Sequence, residues 1–277
     1  MSLLPQFRPA LLCLLLVAGR VMAQQPGEIH PDSVANIVAQ SNNPLAPLSG
    51  VNVNEYYASS LYGSDAVANT LNLQTVLIPR QRHFKLYHLL RTTLPVLTVP
   101  DGQGSYASGL GDLVIQDAFR FSKDGAKTEW GVGPLLVLPT ATADQLGAGK
   151  WQAGAAIIVV RTLAGGSVVG FDATWQASFA GSDDRPNTNQ ATFQPTIALA
   201  IGRSGFYISS SPIWVLDFQN DQYLIPFSLG AGKVFMAGKT IVNVTMEPQV
   251  TVYHWGEGLP AFQLFLGLSL QRRKTPK

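Results

Sequence analysis

Cysteine is nearly absent from this sequence of 277 residues, and the one copy, Cys13, lies close to the amino terminus. Residues 1–23 have the pattern of a secretory signal, with a positive charge at Arg8, an apolar core over residues 10–19 and a cleavage pattern that ends at Ala23. Because Cys13 falls within that apolar core, the exported chain would carry no thiol. Disulfide bonds, cysteine nucleophiles and cysteine-based metal sites are therefore excluded.

Histidine and charged residues are also scarce, since Asp, Glu, Lys and Arg together make up 13% of the chain. The four histidines are His30, His83, His88 and His254. Their spacing does not match a metal-binding motif, so we predict no metal and no cofactor. Removal of Arg8 and Arg20 with the signal lowers the basic residues from 19 to 17, which equals the 17 acidic residues. A neutral chain of this kind does not indicate nucleic-acid binding.

Long hydrophobic runs are missing after residue 23, although 46% of all residues are hydrophobic. No such run approaches the roughly 20 residues of a membrane helix. The stretch 240–253, TIVNVTMEPQVTVY, instead alternates between two faces. One face carries Val242, Val244, Met246, Pro248, Val250 and Val252, and the other carries Asn243, Thr245, Glu247, Gln249 and Thr251. The alternation covers about eleven residues, which is the span of a tilted strand that crosses a bilayer, whereas sandwich strands usually have about five or six.

Twelve segments show this alternation or a weaker form of it: residues 51–57, 70–78, 85–96, 110–121, 130–138, 151–161, 171–179, 190–201, 206–216, 223–235, 240–253 and 262–270. An even number of strands is typical of single-chain bacterial barrels. Linkers after even-numbered segments are shorter than most of those after odd-numbered segments, which predicts short periplasmic turns and long outer loops. We therefore predict an all-β protein, an antiparallel transmembrane β-barrel of about 12 strands.

This pattern divides the chain into four parts: a signal peptide (1–23), a leader (24–49), the barrel (50–271) and a basic tail (272–277). Residues 32–40 of the leader, DSVANIVAQ, predict a short helix that Asn43-Pro44 would end. Two interpretations of the leader stay open. It either remains in the periplasm or enters the lumen as a small plug.

The polar face of the strands supplies the residues expected to line the lumen. These candidates are Asp112, Gln116, Arg120, Asp172, Thr174, Gln176, Gln190, Thr192, Gln194, Asn243, Thr245, Glu247 and Gln249, together with Lys85 and Arg91. Their charges are of both signs, which argues against a strongly ion-selective pore, because such a pore uses a ring of one sign. The lining predicts either a narrow path for small, weakly charged solutes or an interlocked polar core that keeps the barrel shut.

Two further patterns resemble parts of catalytic or binding sites. Gly230-Ala231-Gly232-Lys233 lacks the full phosphate-loop pattern and lies on a strand, so we interpret its glycines as relief for a crowded wall. A hydrolase would need a serine and a histidine side by side on the lipid-facing rim, and His88 is the residue that could take that place. No enzyme activity is the main prediction, and a hydrolase is the less favoured alternative.

Five ordered motifs resemble a known family. They are Asn43-Pro44-Leu45-Ala46, GLGDL (109–113), WGVGPLLVLPTAT (130–142), LGAGKW (146–151) and GAGKVF (230–235). They are similar to the MetA-pathway phenol-degradation family of outer-membrane transporters, whose members are often labelled bacterial neuromedin U. The resemblance implies a barrel broadly related to hydrocarbon and fatty acid channels.

The hypothesis from the sequence is a channel of the cell outer membrane that passes small hydrophobic or aromatic compounds without energy coupling. Its expected partners are outer-membrane lipid, the solute and the barrel assembly machinery. Since residues 268–270 are followed by a basic tail without a terminal Phe, that machinery would recognise the internal strand. The alternative from another class is a closed structural or surface-binding barrel.

Overall fold

The computed structural model describes residues 31–79, 87–123 and 126–273. The signal peptide, Lys85 and the last four residues of the basic tail lie outside the described residues. The described chain is a closed antiparallel β-barrel of twelve wall strands with one short helix near its amino terminus, which confirms the predicted fold class. Each wall strand pairs with its neighbour in sequence, and the first pairs with the last to close the barrel.

The helix α1 spans Pro31–Ser41. The strands are β1 (Leu48–Leu61), β2 (Ala68–Leu77), β3 (Tyr87–Pro100), β4 (Tyr106–Leu110), β5 (Leu113–Arg120), β6 (Thr128–Leu138), β7 (Lys150–Thr162), β8 (Val168–Gly181), β9 (Asn189–Ala200), β10 (Phe206–Ser210), β11 (Trp214–Asp217), β12 (Gln222–Ser228), β13 (Gly230–Ala237), β14 (Thr240–Trp255) and β15 (Pro260–Arg273). Two 3₁₀ turns, Asp144–Leu146 and Ala164–Gly166, follow β6 and β7.

Three wall strands are interrupted, which is why fifteen strands build twelve wall positions. β3 pairs with both β4 and β5, β9 pairs with both β10 and β11, and β14 pairs with both β12 and β13. Pro212 falls in the second interruption, and Pro226 lies at a register shift close to the third. A proline has no N–H to donate to a ladder, so these positions favour a local break.

The period of two along β14 places its two faces in different surroundings. Glu247 and Gln249 are buried, at 0% and 1% exposure, whereas Met246 and Val250, which flank them in the chain, are 54% and 48% exposed. Exposed apolar side chains recur around the outside, as at Trp130, Trp175 and Phe227. An apolar outer surface on a closed barrel is the arrangement that lipid requires.

The leader packs against the inner face of the wall. In α1, apolar side chains at Val34, Ile37 and Val38 recur at helical spacing and form one stripe. Val38 and Leu45 are fully or almost fully buried in a cluster with wall residues. The wall residues of that cluster are Leu48, Leu89, Ala118, Ile158, Val160, Val168, Ala198, Tyr207, Val234 and Ile241.

The contact between α1 and the turn after β7 is close enough to require glycine. Gly166 has a φ of +86°, and a Cβ at that position would lie 2.2 Å from the carbonyl oxygen of Ala35. A side chain there would push the helix away from the wall.

Within the described ranges, no helix has both the length and the apolar character needed to cross a membrane.

Candidate functional site: the barrel interior

A salt bridge crosses the interior of the barrel. Nη1 of Arg91 lies 2.9 Å from Oδ2 of Asp172. Arg91 is on β3 and Asp172 is on β8, which are not neighbours in the sheet, so the two side chains meet through the lumen. The same guanidinium donates to Oε1 of Gln116 at 3.2 Å. The two opposite charges compensate each other inside the barrel.

Polar side chains continue along β8 and β9 next to this salt bridge. Thr174 and Thr192 are hydrogen-bonded through their hydroxyls at 2.7 Å, and Asp172 faces Gln194 in register. Gln176 faces Gln190 in register and donates to Gln152 on β7 at 3.0 Å. The structure therefore brings these sequence-based candidates together as one polar surface on the inner face.

The sequence predicts that Glu247 lines the lumen and faces water, but the side chain is fully buried. Its Oε1 accepts a hydrogen bond from the hydroxyl of Ser209 and one of 2.9 Å from the hydroxyl of Ser211. Its Oε2 accepts from the N–H of Ser211 and from the hydroxyl of Ser228, both at 2.9 Å. Ser211 lies in the gap between β10 and β11, where the hydrogen-bond ladder of this wall position is interrupted. The carboxylate supplies an acceptor that the broken ladder lacks, so Glu247 stabilises the wall.

Asn243 and Thr245 both contact the hydroxyl of Tyr207 on β10, and Asn243 also connects the wall to the leader. The hydroxyl of Tyr207 lies 2.7 Å from Oδ1 of Asn243 and 2.6 Å from the hydroxyl of Thr245. Nδ2 of Asn243 donates to Oδ1 of Asn42 in the leader at 3.2 Å. Further along β14, Gln249 accepts from Gln263 at 2.8 Å.

Arg120 takes part in anchoring the leader. It forms a salt bridge of 2.9 Å with Glu129 and lies 4.3 Å from the ring centre of Tyr87. The amide of Asn43 donates to the other oxygen of Glu129, and the hydroxyl of Tyr87 lies 3.4 Å from the carbonyl oxygen of Ala46. These contacts give a structural role to the Asn43-Pro44-Leu45-Ala46 motif.

Asp112 lies at the interruption between β4 and β5, where it holds the loop after β6. Its carboxylate accepts from the N–H of Ala141 at 3.1 Å and from the N–H of Ala148 at 2.7 Å. A Cβ at Gly147 would lie 2.5 Å from the Asp112 carboxylate. These contacts account for the GLGDL and LGAGKW motifs, and they show that Asp112 orders a loop.

The loop after β8 packs on the same structure. Arg185 donates to the carbonyl oxygens of Asp144 and Gly147. In this loop, a hydrogen bond from the hydroxyl of Ser182 lowers the pKa of Asp184. The two loops therefore order each other at the end of the barrel opposite the leader.

The glycines of residues 230–233 relieve crowding in the wall, as expected from the sequence. A Cβ at Gly232 would lie 2.2 Å from the hydroxyl of Tyr207, and one at Gly230 would lie 2.7 Å from Cγ of Glu247. Side chains at these positions would displace Tyr207 and Glu247, so the pattern belongs to the wall.

A cavity of about 300 Å³ lies between the leader and the polar surface. Its lining includes five of the sequence-based candidates, namely Arg91, Asp172, Gln194, Asn243 and Thr245. It also includes polar residues that were not chosen as candidates, among them Asn52, Asn54, Asn72, Gln74 and Thr93. The alternation of Asn52 and Asn54 with Val51 and Val53 is the signal that could have identified the first two.

His88 lies on the outer face of β3, because Leu89 and Arg91 point inward. Its Nδ1 is 2.8 Å from Oδ1 of Asp117, and its ring stacks on Phe119 with 5.2 Å between centres. No serine is hydrogen-bonded to His88 among the residues that the structure describes. The contacts of His88 are therefore an ion pair and an aromatic stack on the outer face.

The described part of the chain has no group of three or more His, Cys, Asp or Glu side chains that could hold a metal ion.

No protein-family model and no curated protein matches the chain. Among solved structures, the chain is similar to the COG4313 outer membrane channel from Pseudomonas putida F1. The TM-score is 0.59 and the identity is 16%, over 81% of this chain and 94% of that chain. The chain and that channel therefore share a β-barrel fold.

Proposed function

We propose that the protein is an outer-membrane channel for the passive passage of small hydrophobic or aromatic compounds that carry weakly polar groups such as hydroxyls. The observation that carries this proposal is the polar inner surface around the Arg91–Asp172 salt bridge, enclosed by a wall with an apolar outside. Its compensated charges favour solutes without a strong net charge. The fold shared with a solved outer membrane channel supports the same function.

The proposal includes the topology expected from the sequence. The signal peptide is cleaved after Ala23, the leader and the short turns face the periplasm, and the long loops face outward. Cell fractionation and amino-terminal sequencing test this part. Recovery of the chain as a water-soluble periplasmic protein would contradict it.

The leader limits passage in this proposal. Its apolar side chains Val38 and Leu45 are buried against wall residues at one end of the interior, and Asn43 is bound to Glu129. A solute that enters from the long-loop end reaches the cavity and leaves when the leader moves aside. The assignment to the MetA-pathway phenol-degradation family is part of the same proposal.

Planar bilayer recording of the purified protein tests the proposal. We expect discrete openings, and catechol added on the long-loop side should interrupt the current in proportion to its concentration. Benzoate, which has a similar ring and a full negative charge, is the matched control and should interrupt the current less.

The second candidate function is a closed structural barrel, which the burial of the leader inside the wall favours. A closed barrel would show the same fold and the same resistance to detergent, but no openings. Folded protein is recognised because its unheated and boiled forms migrate differently on a denaturing gel. If such protein shows no openings at all, the result would support the closed barrel over the channel.

A further inference from the structure

We propose that the cavity between the leader and the wall is a binding site for one small, neutral aromatic solute with two hydroxyl groups. This inference rests on the proposed function, because it names the class of solute that the channel holds. The site lies against the inner face of β1, β2 and β15, and the leader completes it.

An aromatic surface forms one side of the cavity. Tyr56 on β1 and Phe265 on β15 are opposite each other in register, and their ring centres are 4.9 Å apart. Both rings line the cavity. Gly267 leaves the space that the Phe265 ring occupies, since a Cβ there would lie 3.0 Å from Cζ of Phe265. A further aromatic ring packs favourably against such a pair.

Hydrogen-bonding groups without a protein partner lie next to these rings. Asn54 is two residues from Tyr56 on the same face of β1, and it faces Asn72 of β2 in register. Both amides line the cavity, and within the described part of the chain neither makes a side-chain hydrogen bond. Each amide offers donors and an acceptor, so the pair can bind two hydroxyl groups.

The charge of the cavity favours a neutral ligand. Arg91 and Asp172 are the only charged residues of the described chain that line it, and they form a salt bridge with each other. A carboxylate ligand would therefore lose its hydration without gaining an unpaired cation, which is unfavourable. A hydrocarbon without polar groups would leave the amides of Asn54 and Asn72 unpaired, which is also unfavourable.

The leader forms the floor of the site. Ser41, Asn42 and Asn43 line the cavity, and each is hydrogen-bonded to a side chain of the wall. A solute in the cavity touches both the wall and the leader. Binding therefore stabilises the seated leader, because a ligand favours the state in which its site is complete.

Calorimetric titration of the purified full-length protein in detergent tests the inference, with catechol, toluene and benzoate as probes. We expect saturable binding of catechol, with toluene and benzoate each at least tenfold weaker. Asn72→Leu should weaken catechol binding at least tenfold. Gln103→Leu is the matched control, because Gln103 is exposed in the loop after β3 and lies outside the cavity, and it should leave the affinity within twofold.

Asn54→Ser provides a second variant with a smaller change in volume, and heat-dependent gel mobility verifies that each variant is folded. Equal affinity of wild type and both asparagine variants for catechol would overturn the inference, as would equal affinity for benzoate or the absence of saturable binding. Bilayer openings in the same preparation separate the two proposals. Openings without catechol binding overturn this inference alone, whereas the absence of openings overturns the channel.

Discussion

The two ends of the barrel interior differ in chemistry although they are built from the same strands. At the leader end the inner face is apolar, with Ile158 and Val168 packed around Leu45. Beyond it the inner face is polar, with Arg91 and Asp172 in a salt bridge. The difference shows that one end is closed by hydrophobic packing of the chain on itself, whereas the rest stays hydrophilic.

The change occurs within a few residues on each strand. On β3 the inward residue Leu89 is followed by Arg91, and on β14 Ile241 is followed by Asn243. Because inward positions are two residues apart, this step corresponds to about 7 Å along a strand. Substitutions on either side of the boundary should therefore have different consequences.

The largest effect is expected at the apolar end. Leu45→Ala removes a side chain with 0% exposure, and large-to-small changes in cores cost about 2 to 5 kcal/mol. The cost should fall on the docking of the leader. Hydrogen exchange measured by mass spectrometry should become faster in α1 by about 30-fold or more, since 1.4 kcal/mol is about tenfold.

Leu135→Ala is the control for this change. Leu135 is buried on β6 and lies outside the cluster that holds the leader. Its loss should leave exchange in α1 unchanged. Equal acceleration in both variants would contradict the distinction between the two ends.

The outer face provides the second prediction. Met246→Arg places a charge on an exposed residue in the middle of β14, and an arginine at the bilayer midplane should cost about 2 to 4 kcal/mol. Folding titrations into lipid vesicles measure this cost. Met246→Leu should be close to neutral, and a harmless Met246→Arg would place this face away from lipid.

The third prediction concerns the buried carboxylate of the polar region. Glu247→Gln replaces one of the carboxyl oxygens that accept bonds from Ser209, Ser211 and Ser228 with an amide nitrogen, and a buried hydrogen-bonding group left unsatisfied costs about 1 to 3 kcal/mol. The same folding titration should show a loss of this size. Gln176→Glu, on a polar surface near the cavity, is the comparison variant for the same folding titration. An unchanged stability for Glu247→Gln would mean that Glu247 is hydrated.

The smallest effect on stability is expected at the salt bridge, where the change is in selectivity. Asp172→Asn leaves Arg91 without its counter-ion and should favour anions, whereas Arg91→Gln should favour cations. Reversal potentials under a salt gradient measure both, and the signs should be opposite. The double substitution should restore the wild-type value, and reversal potentials of the same sign would exclude a path beside this pair.

The sequence predicts the wall well because a strand with one buried and one exposed face has a strict period of two, as at Glu247 between Met246 and Pro248. The interruptions of the wall were not predicted, although residues 209–212, SSSP, depart from the alternation and Pro212 favours a local break. The role of Asp112 depends on a loop 30 residues away in the chain, which no local pattern indicates.

The apolar inner face at the leader end could not be predicted from the strands either. Leu89 and Ile158 occupy positions that the period assigns to the lumen, and their burial is explained only by the leader that packs on them. For the same reason, the sequence left two interpretations of the leader open. The helix itself was predictable, because its capped apolar stripe is local.

The most direct test of the account is to fix the leader in place and record the current. Asn42 and Asn243 are in side-chain contact at 3.2 Å, and the only cysteine of the sequence lies in the predicted signal peptide. Asn42→Cys combined with Asn243→Cys therefore allows one defined disulfide between leader and wall. We predict that the oxidised protein shows few or no openings in a planar bilayer and that reduction restores them. Equal conductance in the oxidised and reduced forms would contradict the claim that the leader controls the lumen.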